Sequence, residues 1–312
     1  MPKLPPFFKF IQRGWFNCNS IIVDYEDQPT LIDSGHLLYA NETVDLIRGA
    51  GVEPENLGLI VTTHGHSDHH GGNKLLKEMS NASILMGEIT ASWFRNNEKR
   101  LLWFDVDAQE AEIILPDQTI QDGEVVHFSG VPFEAVHLPG HAPDCLGFYQ
   151  PDSKVMICAD AMWENDFGVL NTAVHGPQTL ADAETAVQKL ASYDIEIAIP
   201  GHGNLITNVP ENLEKLYKRL NLFKSDPAQL AWHFIRRIAM FIAMRHQPIE
   251  EQALQSIYLN HPHLIHYLKN ELNLSHFDNK MGEKIFQDIL ENFKSRQLIV
   301  EKDGLLSSTV PK

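Results

Sequence analysis

The stretch IVTTHGHSDHHGG, residues 60–72, decides the fold and the chemistry expected of this chain. It begins inside an apolar run at residues 57–61, which predicts a buried strand. Directly after that run come His64 and His66, and their spacing of two places both imidazoles on one side of an extended segment. Two imidazoles on one side can reach the same cation. The sequence therefore predicts a metal-binding loop at the end of a buried strand.

Two more polar side chains in this stretch, Asp68 and His69, are brought by the following turn to a second position close to the first. Imidazole and carboxylate are the ligands that a zinc-like divalent ion takes when no thiolate is offered. The pair Gly71-Gly72 lets the backbone pass close to the ions. The alternative is a solvated, histidine-rich loop, and the density of ligands beside an apolar strand argues against it.

Three later motifs repeat the same pattern of an apolar strand that ends in a histidine or an aspartate. The motif LPGHAP ends one strand and contains His141, and CADA ends another and contains Asp160. The third motif, PGHG, contains His202 and follows the apolar run at 195–199. Strands that end together at one edge would bring these side chains to the ligands of the first stretch.

Together these motifs resemble those of the metallo-β-lactamase superfamily over about residues 15–207. The resemblance implies an α+β fold, a four-layered αββα sandwich with metals at one edge of two sheets. It also implies two groups of ligands, with Asp160 in the position of a carboxylate that bridges two ions. The implied first group is His64, His66 and His141, and the implied second group is Asp68, His69 and His202.

A centre of this kind allows hydrolysis by a hydroxide that bridges two divalent ions. Asp68, beside that hydroxide, is the expected catalytic residue, because a carboxylate can orient the nucleophile or accept its proton. Zinc is the first expectation for both ions. Iron, manganese and nickel stay open, because histidine and carboxylate ligands accept all of them.

Other polar residues are candidates for supporting roles. Asn165 and Asp166, in the loop after the bridging position, and His175 are candidates for contact with substrate, although their residue types favour a capping or solvated role in a loop over such a contact. Asp33 is more consistent with orienting a ligand than with being one. An insert at 96–115 is expected to be helical or irregular, and in this family such an insert overhangs the active site.

The chain is long enough for one large domain or two smaller ones, with 312 residues, of which 43% are hydrophobic. Residues 1–207 contain 11 basic and 29 acidic side chains, a net charge of −18, whereas residues 208–312 contain 14 and 12, a net of +2. Such a negative catalytic half disfavours a polyanionic partner such as nucleic acid.

Compartment and membrane association are predicted from what the sequence lacks. No apolar run approaches the ~20 residues of a membrane span, and residues 1–14 lack the features of a secretory signal. The three widely spaced cysteines, Cys18, Cys145 and Cys158, are expected to be reduced core residues. A cytoplasmic protein without membrane attachment is the prediction.

A change of character after Pro210 predicts two domains, a catalytic one at 1–210 and a mostly helical one at 211–312 that ends in a β-hairpin around Asp303-Gly304. Helices followed by a hairpin resemble a winged-helix-like tail. With its small net charge, this tail is expected to pack against its surroundings or to form a homodimer rather than to bind nucleic acid.

The function predicted from these features is hydrolysis of a small carboxylic ester, thioester or lactone by a dinuclear metal-dependent enzyme with a small-molecule substrate. Three alternatives stay open. One is a phosphodiesterase or ribonuclease of the same superfamily, and another is a β-lactam hydrolase. The third is a non-catalytic regulatory or effector protein on the same fold, against which the complete set of ligands argues.

Overall fold

The computed structural model describes residues 3–104, 109, 111–272, 274 and 276–310. Contacts between its Cα atoms divide the chain into two compact units, residues 1–220 and 221–312. The division falls inside a helix that spans Val209–Ser225. The predicted domain boundary at 210 and 211 stays a prediction.

The first unit contains two sheets, and the first of these has six strands whose spatial order equals their order in the chain. They are β1 (Phe8–Ile11), β2 (Ser20–Val23), β3 (Thr30–Ile32), β4 (Leu59–Thr62), β5 (Ser83–Gly87) and β6 (Gln118–Ile120). The strands from β1 to β3 pair antiparallel. The strands from β3 to β6 pair parallel, with Ile32 opposite Val61.

The second sheet has five strands in the order β11-β10-β9-β8-β7. In chain order they are β7 (Val125–Phe128), β8 (Val131–His137), β9 (Leu146–Gln150), β10 (Val155–Ala159) and β11 (Ile197–Pro200). Strands β7 to β10 pair antiparallel, and β10 pairs parallel with β11. Consequently β8, β10 and β11 run in the same direction, and their carboxyl ends meet at one edge.

The core forms two layers because neighbouring residues of a strand point to opposite faces of the sheet. Ile21 and Val61 face the second sheet and pack in one cluster with Phe148 and Ile199. On the opposite face of the first sheet, Ile60 belongs to a second cluster that is formed with helical side chains. This alternation places an apolar layer between the two sheets and another between the first sheet and its helices.

Seven helices begin in the described part of the first unit, and one of them, Glu88–Asn96, follows β5 directly. They are α1 (Ala40–Gly49), α2 (Ser67–His70), α3 (Asn73–Ser80), α4 (Glu88–Asn96), α5 (Thr172–His175), α6 (Thr179–Ala191) and α7 (Val209–Ser225), counted among the described residues. On the second sheet, Lys189 of α6 donates to the carbonyl oxygen of His137 at 3.3 Å. The predicted αββα sandwich is confirmed.

The second unit is mostly helical and ends in a small sheet. Its helices are α8 (Pro227–His246), α9 (Glu251–Asn260), α10 (Pro262–His266) and α11 (Asn279–Ser295), with a π-helical turn at Tyr267–Glu271. The sheet consists of β12 (Ile249–Glu250), β13 (Ile299–Lys302) and β14 (Leu305–Ser308), in the order β12-β14-β13. The predicted helical region with a terminal hairpin is confirmed, and its winged-helix character stays a prediction.

The helical segment that follows the predicted metal-binding loop is split into α2 and α3 at Gly71 and Gly72, where a Cβ would meet backbone atoms of the segment at 34–37. Of the insert expected at 96–115, residues 105–108 and 110 lie outside the described residues.

Among the described helices, none is long and apolar enough to cross a membrane.

Candidate metal centre

Four loops meet at the edge where β4 of the first sheet and β8, β10 and β11 of the second sheet end. The sheets are tied together there, because the Leu146 amide donates to the Thr63 carbonyl oxygen at 2.9 Å. Across the same edge, Asn19 donates its side-chain amide to the Pro200 carbonyl oxygen at 3.0 Å. The loops after these strands therefore bring together residues that are far apart in the sequence.

The first group of ligand atoms consists of three imidazole nitrogens. His66 Nδ1 lies 3.0 Å from His64 Nε2 and 2.8 Å from His141 Nε2. All three rings are buried, and these three nitrogens lie within 4.8 Å of one another. The structure thus brings together the three residues that the resemblance assigns to a first ion.

The second group combines one carboxylate with two imidazoles. Asp68 Oδ2 lies 3.1 Å from His202 Nε2 and 3.8 Å from His69 Nε2. The side chain of Asp68 is 14% exposed, whereas those of His69 and His202 are at most 4% exposed. Asp68 is therefore the member of this group that is open to solvent.

Asp160 lies between the two groups. Its Oδ2 is 3.3 Å from His141 Nε2 of the first group and 3.7 Å from His202 Nε2 of the second. Its Oδ1 is 3.7 Å from His69 Nε2. A carboxylate in this place can contribute to both groups at once.

The tautomers implied by the hydrogen bonds leave lone pairs pointing into the first group. His141 Nδ1 faces the Val169 carbonyl oxygen at 2.8 Å, and a carbonyl can only accept, so His141 Nε2 carries the lone pair in the neutral ring. Thr63 donates its hydroxyl to Asp33 Oδ2 at 2.8 Å, so its oxygen accepts from His64 Nδ1 at 3.2 Å. His66 Nδ1 consequently lies between two nitrogens that carry lone pairs, His64 Nε2 and His141 Nε2. Lone pairs that converge in this way fit a bound cation.

The second group also fits a cation, because His69 Nε2 is buried and has no hydrogen-bond partner among the residues that the structure describes. The opposite nitrogen of that ring, Nδ1, lies 2.7 Å from Asp33 Oδ2. Asp33 is itself fixed, since its Oδ1 accepts the Thr63 amide at 2.9 Å. A carboxylate that orients an imidazole in this way is the usual support of a metal-binding histidine.

The electrostatics of the first group and of the two carboxylates favour the protonation states that bind metal, whereas acidic neighbours outweigh burial and raise the pKa values of His69 and His202. Burial, and then neighbouring imidazoles, hold the pKa values of His64 and His66 well below their usual range. Burial alone would raise the pKa of Asp160, but His202 and His69 outweigh it and hold that pKa well below the usual range. The pKa of Asp68 is lowered for the same reason, because His69 and His202 outweigh burial. Neutral imidazoles and ionised carboxylates are the states that metal ligation requires.

The first group is covered by the insert, as expected for an overhanging segment. The Trp103 ring lies 4.4 Å from that of His66 and 5.5 Å from that of His141, measured between ring centroids. Trp103 Nε1 donates to His175 Nε2 at 3.0 Å, and the His175 ring stacks on Trp93. Burial, together with the nearby His141, lowers the pKa of His175 to about 3, so the ring is neutral. His175 thus contacts Trp103, and the Trp103 ring lies between His175 and the first group.

Asn165 and Asp166 occupy a tight turn that contacts α7. The Asn165 amide donates to Asn212 Oδ1 at 2.6 Å, and Asp166 Oδ1 lies 3.2 Å from Arg219 Nη1. Asn165 has φ +63°, which asparagine tolerates better than most residues. Their expected contact with substrate stays a prediction, while the contacts present in the structure serve to build the turn.

Asp144 connects the loop of His141 with the loop of His64 and His66. Its Oδ2 accepts the Gly65 amide at 2.8 Å and the Thr90 hydroxyl at 2.7 Å. Its Oδ1 is buried without a hydrogen-bond partner. Burial raises the pKa of Asp144 to about 6 and outweighs the two hydrogen bonds, which lower it.

Replacing Asp144 with asparagine is expected to remove one pH dependence of stability. The folded pKa lies above the unfolded value of about 4, so the stabilisation is fully present below pH 4 and is lost as the pH rises through 6. Between pH 4.5 and 7.5 the free energy of unfolding of the wild type should fall by about 2 kcal/mol relative to Asp144→Asn. Urea denaturation of the metal-free proteins measures this difference. Asp152→Asn, at an exposed position, is the control, and parallel profiles for wild type and Asp144→Asn would refute the prediction.

Comparison with known sequences finds a family match across the whole centre. The model of the metallo-β-lactamase superfamily matches residues 13–202. The hydroxyacylglutathione hydrolase GloC of Haemophilus influenzae is 30% identical over 203 residues, which are 61% of this chain and 87% of that protein. An atrochrysone carboxyl ACP thioesterase of Emericella nidulans is 27% identical over 203 residues, 65% of this chain and 56% of that protein.

Comparison with solved structures supports the same fold. A metallo-β-lactamase of Cronobacter sakazakii superposes with a TM-score of 0.58 at 19% identity and covers 72% of this chain and 93% of its own. A metallo-β-lactamase family protein of Thermus thermophilus gives a TM-score of 0.59 at 16% identity and covers 98% of this chain and all of its own. At these identities the likeness concerns the fold.

Proposed function

The chain belongs to the metallo-β-lactamase superfamily and is a metal-dependent hydrolase of that superfamily, and from this premise we propose that it hydrolyses a small acyl thioester with two bound divalent ions. The observation that carries the proposal is the position of Asp160 between two complete groups of ligand atoms. Zinc is the proposed metal for both groups, because imidazole and carboxylate ligands suit it.

The residues proposed to hold the ions are those that the structure brings together. The first ion would be held by His64, His66 and His141 and the second by Asp68, His69 and His202, with Asp160 shared. Divalent ions held there would supply a Lewis acid for the scissile carbonyl and would activate a water molecule for attack.

Asp68 is proposed to handle the proton of the attacking water. Its carboxylate is 14% exposed and so faces the side from which substrate and water arrive. Its lowered pKa keeps it ionised and therefore able to accept a hydrogen bond or a proton. Its neighbour in the second group is His202, whose Nε2 lies 3.1 Å away.

A thioester is favoured within the wider class of esters, thioesters and lactones. A thiol has a pKa of about 8.5, so a thiolate leaves without the prior protonation that an alkoxide needs. A thioester thus makes the smallest demand on a proton donor for the leaving group. The names of two relatives, a hydroxyacylglutathione hydrolase and an acyl-carrier-protein thioesterase, point to the same bond. The net charge of −18 in residues 1–207 disfavours a phosphodiester polyanion.

Initial hydrolysis rates of the metal-replete protein test the proposal. The substrate panel contains an acyl-glutathione, an acyl-pantetheine thioester, an acyl-lactone, a cephalosporin and an aryl phosphodiester. Turnover is expected to be fastest on a thioester and to be lost on chelation and restored by zinc. Turnover confined to the phosphodiester or to the cephalosporin would overturn the thioester assignment. Two bound ions without turnover of any carbonyl substrate would favour an effector protein instead.

A further inference from the structure

The loop at residues 160–168, after β10, folds back on its own first residue. The indole Nε1 of Trp163 donates a hydrogen bond to Asp160 Oδ1 at 3.0 Å. The loop is closed by a second bond, from the Gly168 amide to the Asp160 carbonyl oxygen at 2.9 Å. Trp163 is 8% exposed, so this hydrogen bond is shielded from competing water.

The carboxylate of Asp160 is also confined on its other side. Gly201 precedes His202, and a Cβ at Gly201 would overlap with Asp160 Oδ1 and would lie 3.1 Å from His69 Cε1. The carboxylate thus occupies the space that any other residue at this position would fill. Between Gly201 and the Trp163 indole, Oδ1 has little freedom to move.

This confinement gives the two oxygens of Asp160 different environments. Oδ1 accepts the indole hydrogen bond and lies 3.7 Å from His69 Nε2. Oδ2 lies 3.3 Å from His141 Nε2 and 3.7 Å from His202 Nε2, and is therefore the oxygen placed between the two ligand groups. A rotation about the Cβ–Cγ bond would exchange these environments, and it would break the indole hydrogen bond.

Trp163 is itself held on both its backbone and its ring. The Asn212 side-chain amide donates to the Trp163 carbonyl oxygen at 2.9 Å, and the Trp163 amide donates to the Asp166 carbonyl oxygen at 2.8 Å. The indole ring lies 5.0 Å from the His202 ring and 6.4 Å from that of Trp15, both in edge-to-face geometry. Because the Trp163 indole is fixed in this way, its hydrogen bond can keep the Asp160 carboxylate in one orientation when cations bind.

We propose that Trp163 is a positioning residue that holds Asp160 Oδ1, so that Oδ2 stays directed between the two groups of residues that would hold metal ions. The inference rests on the proposed two-metal centre and concerns how this chain sets its geometry. It assigns the turn at 163–166 a role in building the centre.

The first test compares metal binding by Trp163→Phe and wild type. Phenylalanine keeps an aromatic ring against His202 and removes the indole N–H. Titration of the metal-free proteins with Co²⁺, followed by calorimetry and by the visible spectrum, is expected to show a 10–100-fold weaker affinity for one of two ions and an altered spectrum. Trp15→Phe is the control, because it makes the partner ring of the Trp15–Trp163 pair smaller and leaves the Trp163 indole in place. This variant should bind both ions as wild type does. Wild-type affinities and spectrum in Trp163→Phe would overturn the proposal.

A second measurement reads the hydrogen bond directly in protein that carries all five tryptophans. In metal-free protein labelled with ¹⁵N on the indole nitrogens, one Nε1–H signal should exchange slowly with solvent. That signal should shift when Asp160 is replaced by alanine. Five indole signals unchanged by Asp160→Ala would overturn the proposal even if Trp163→Phe did not fold.

The two proposals can fail separately. If no carbonyl substrate is turned over but Trp163→Phe weakens one ion, the thioesterase assignment fails and the positioning role stands. If a thioester is hydrolysed and Trp163→Phe binds both ions normally, the positioning role fails and the thioesterase assignment stands.

Discussion

Replacing Asp160 with alanine is expected to lower kcat/KM for thioester hydrolysis by about 10³-fold or more. The substitution removes the only described carboxylate that lies between the two ligand groups, with Oδ2 3.3 Å from His141 Nε2 and 3.7 Å from His202 Nε2. It also removes one of the two carboxylates among the ligands, and with it part of the negative charge that offsets the charge of bound cations. A loss of about 4 kcal/mol of transition-state stabilisation corresponds to that factor.

Steady-state kinetics and metal analysis of Asp160→Ala measure the effect. One of the two ions should be lost on dialysis, while the other stays bound by its own group. Asp160→Asn separates the charge of the side chain from its shape, because the amide oxygen can still accept the Trp163 hydrogen bond. Compared with Asp160→Ala, this variant should regain part of the metal binding and little of the activity. Asp152→Ala, at an exposed position of the preceding turn, is the control. Full activity in Asp160→Ala would contradict a shared carboxylate.

Replacing Gly201 with alanine is expected to weaken metal binding by about 10–100-fold and to reduce activity at least as much. A Cβ at Gly201 would overlap with Asp160 Oδ1, so the carboxylate would have to leave its place. Movement of the carboxylate toward the Trp163 indole is blocked, because the indole nitrogen already lies 3.0 Å from Oδ1. The overlap would therefore also displace the loop that carries His202, and a shift of about 1 Å is enough to weaken a metal ligand.

Calorimetric titration with zinc and initial rates measure this prediction, and Gly203→Ala is the matched control in the same motif. At Gly203 an added Cβ meets nothing within 4 Å, but φ is +85°. The control should therefore lose about 1 kcal/mol of stability from backbone strain and keep its metal affinity. Equal metal affinities for Gly201→Ala and Gly203→Ala would falsify the steric argument.

The ligands themselves could be predicted from local sequence. Asp160 follows directly on β10, and His64, His141 and His202 lie in the loops just after β4, β8 and β11. The apolar runs that predict those strands are short and strongly buried. Strand direction then follows from the pairing, and parallel carboxyl ends meet at one edge. Asp68 and His69 lie near the other ligands simply because they belong to the same short stretch of chain as His64 and His66.

The residues that support the centre could not be predicted in the same way. The sequence places Trp163 in the loop after Asp160, but its hydrogen bond to Asp160 depends on a turn whose partner, Asn212, lies 49 residues away. Trp103 reaches His66 only because the insert folds over the first group. Asp144 could be seen as a loop residue, but its bond to Gly65 spans 79 residues.

The chemical class of the centre could thus be inferred from the sequence, because ligand side chains that follow apolar strands are properties of short segments. The α+β sandwich followed from the resemblance of these motifs to a known superfamily. Only the tertiary structure decided how the ligands are oriented. The oxygen of Asp160 that lies between the groups, the tautomers of His64 and His141, and the cover formed by Trp103 depend on contacts between distant segments. Such contacts exist only once the two sheets have packed and their edges have met.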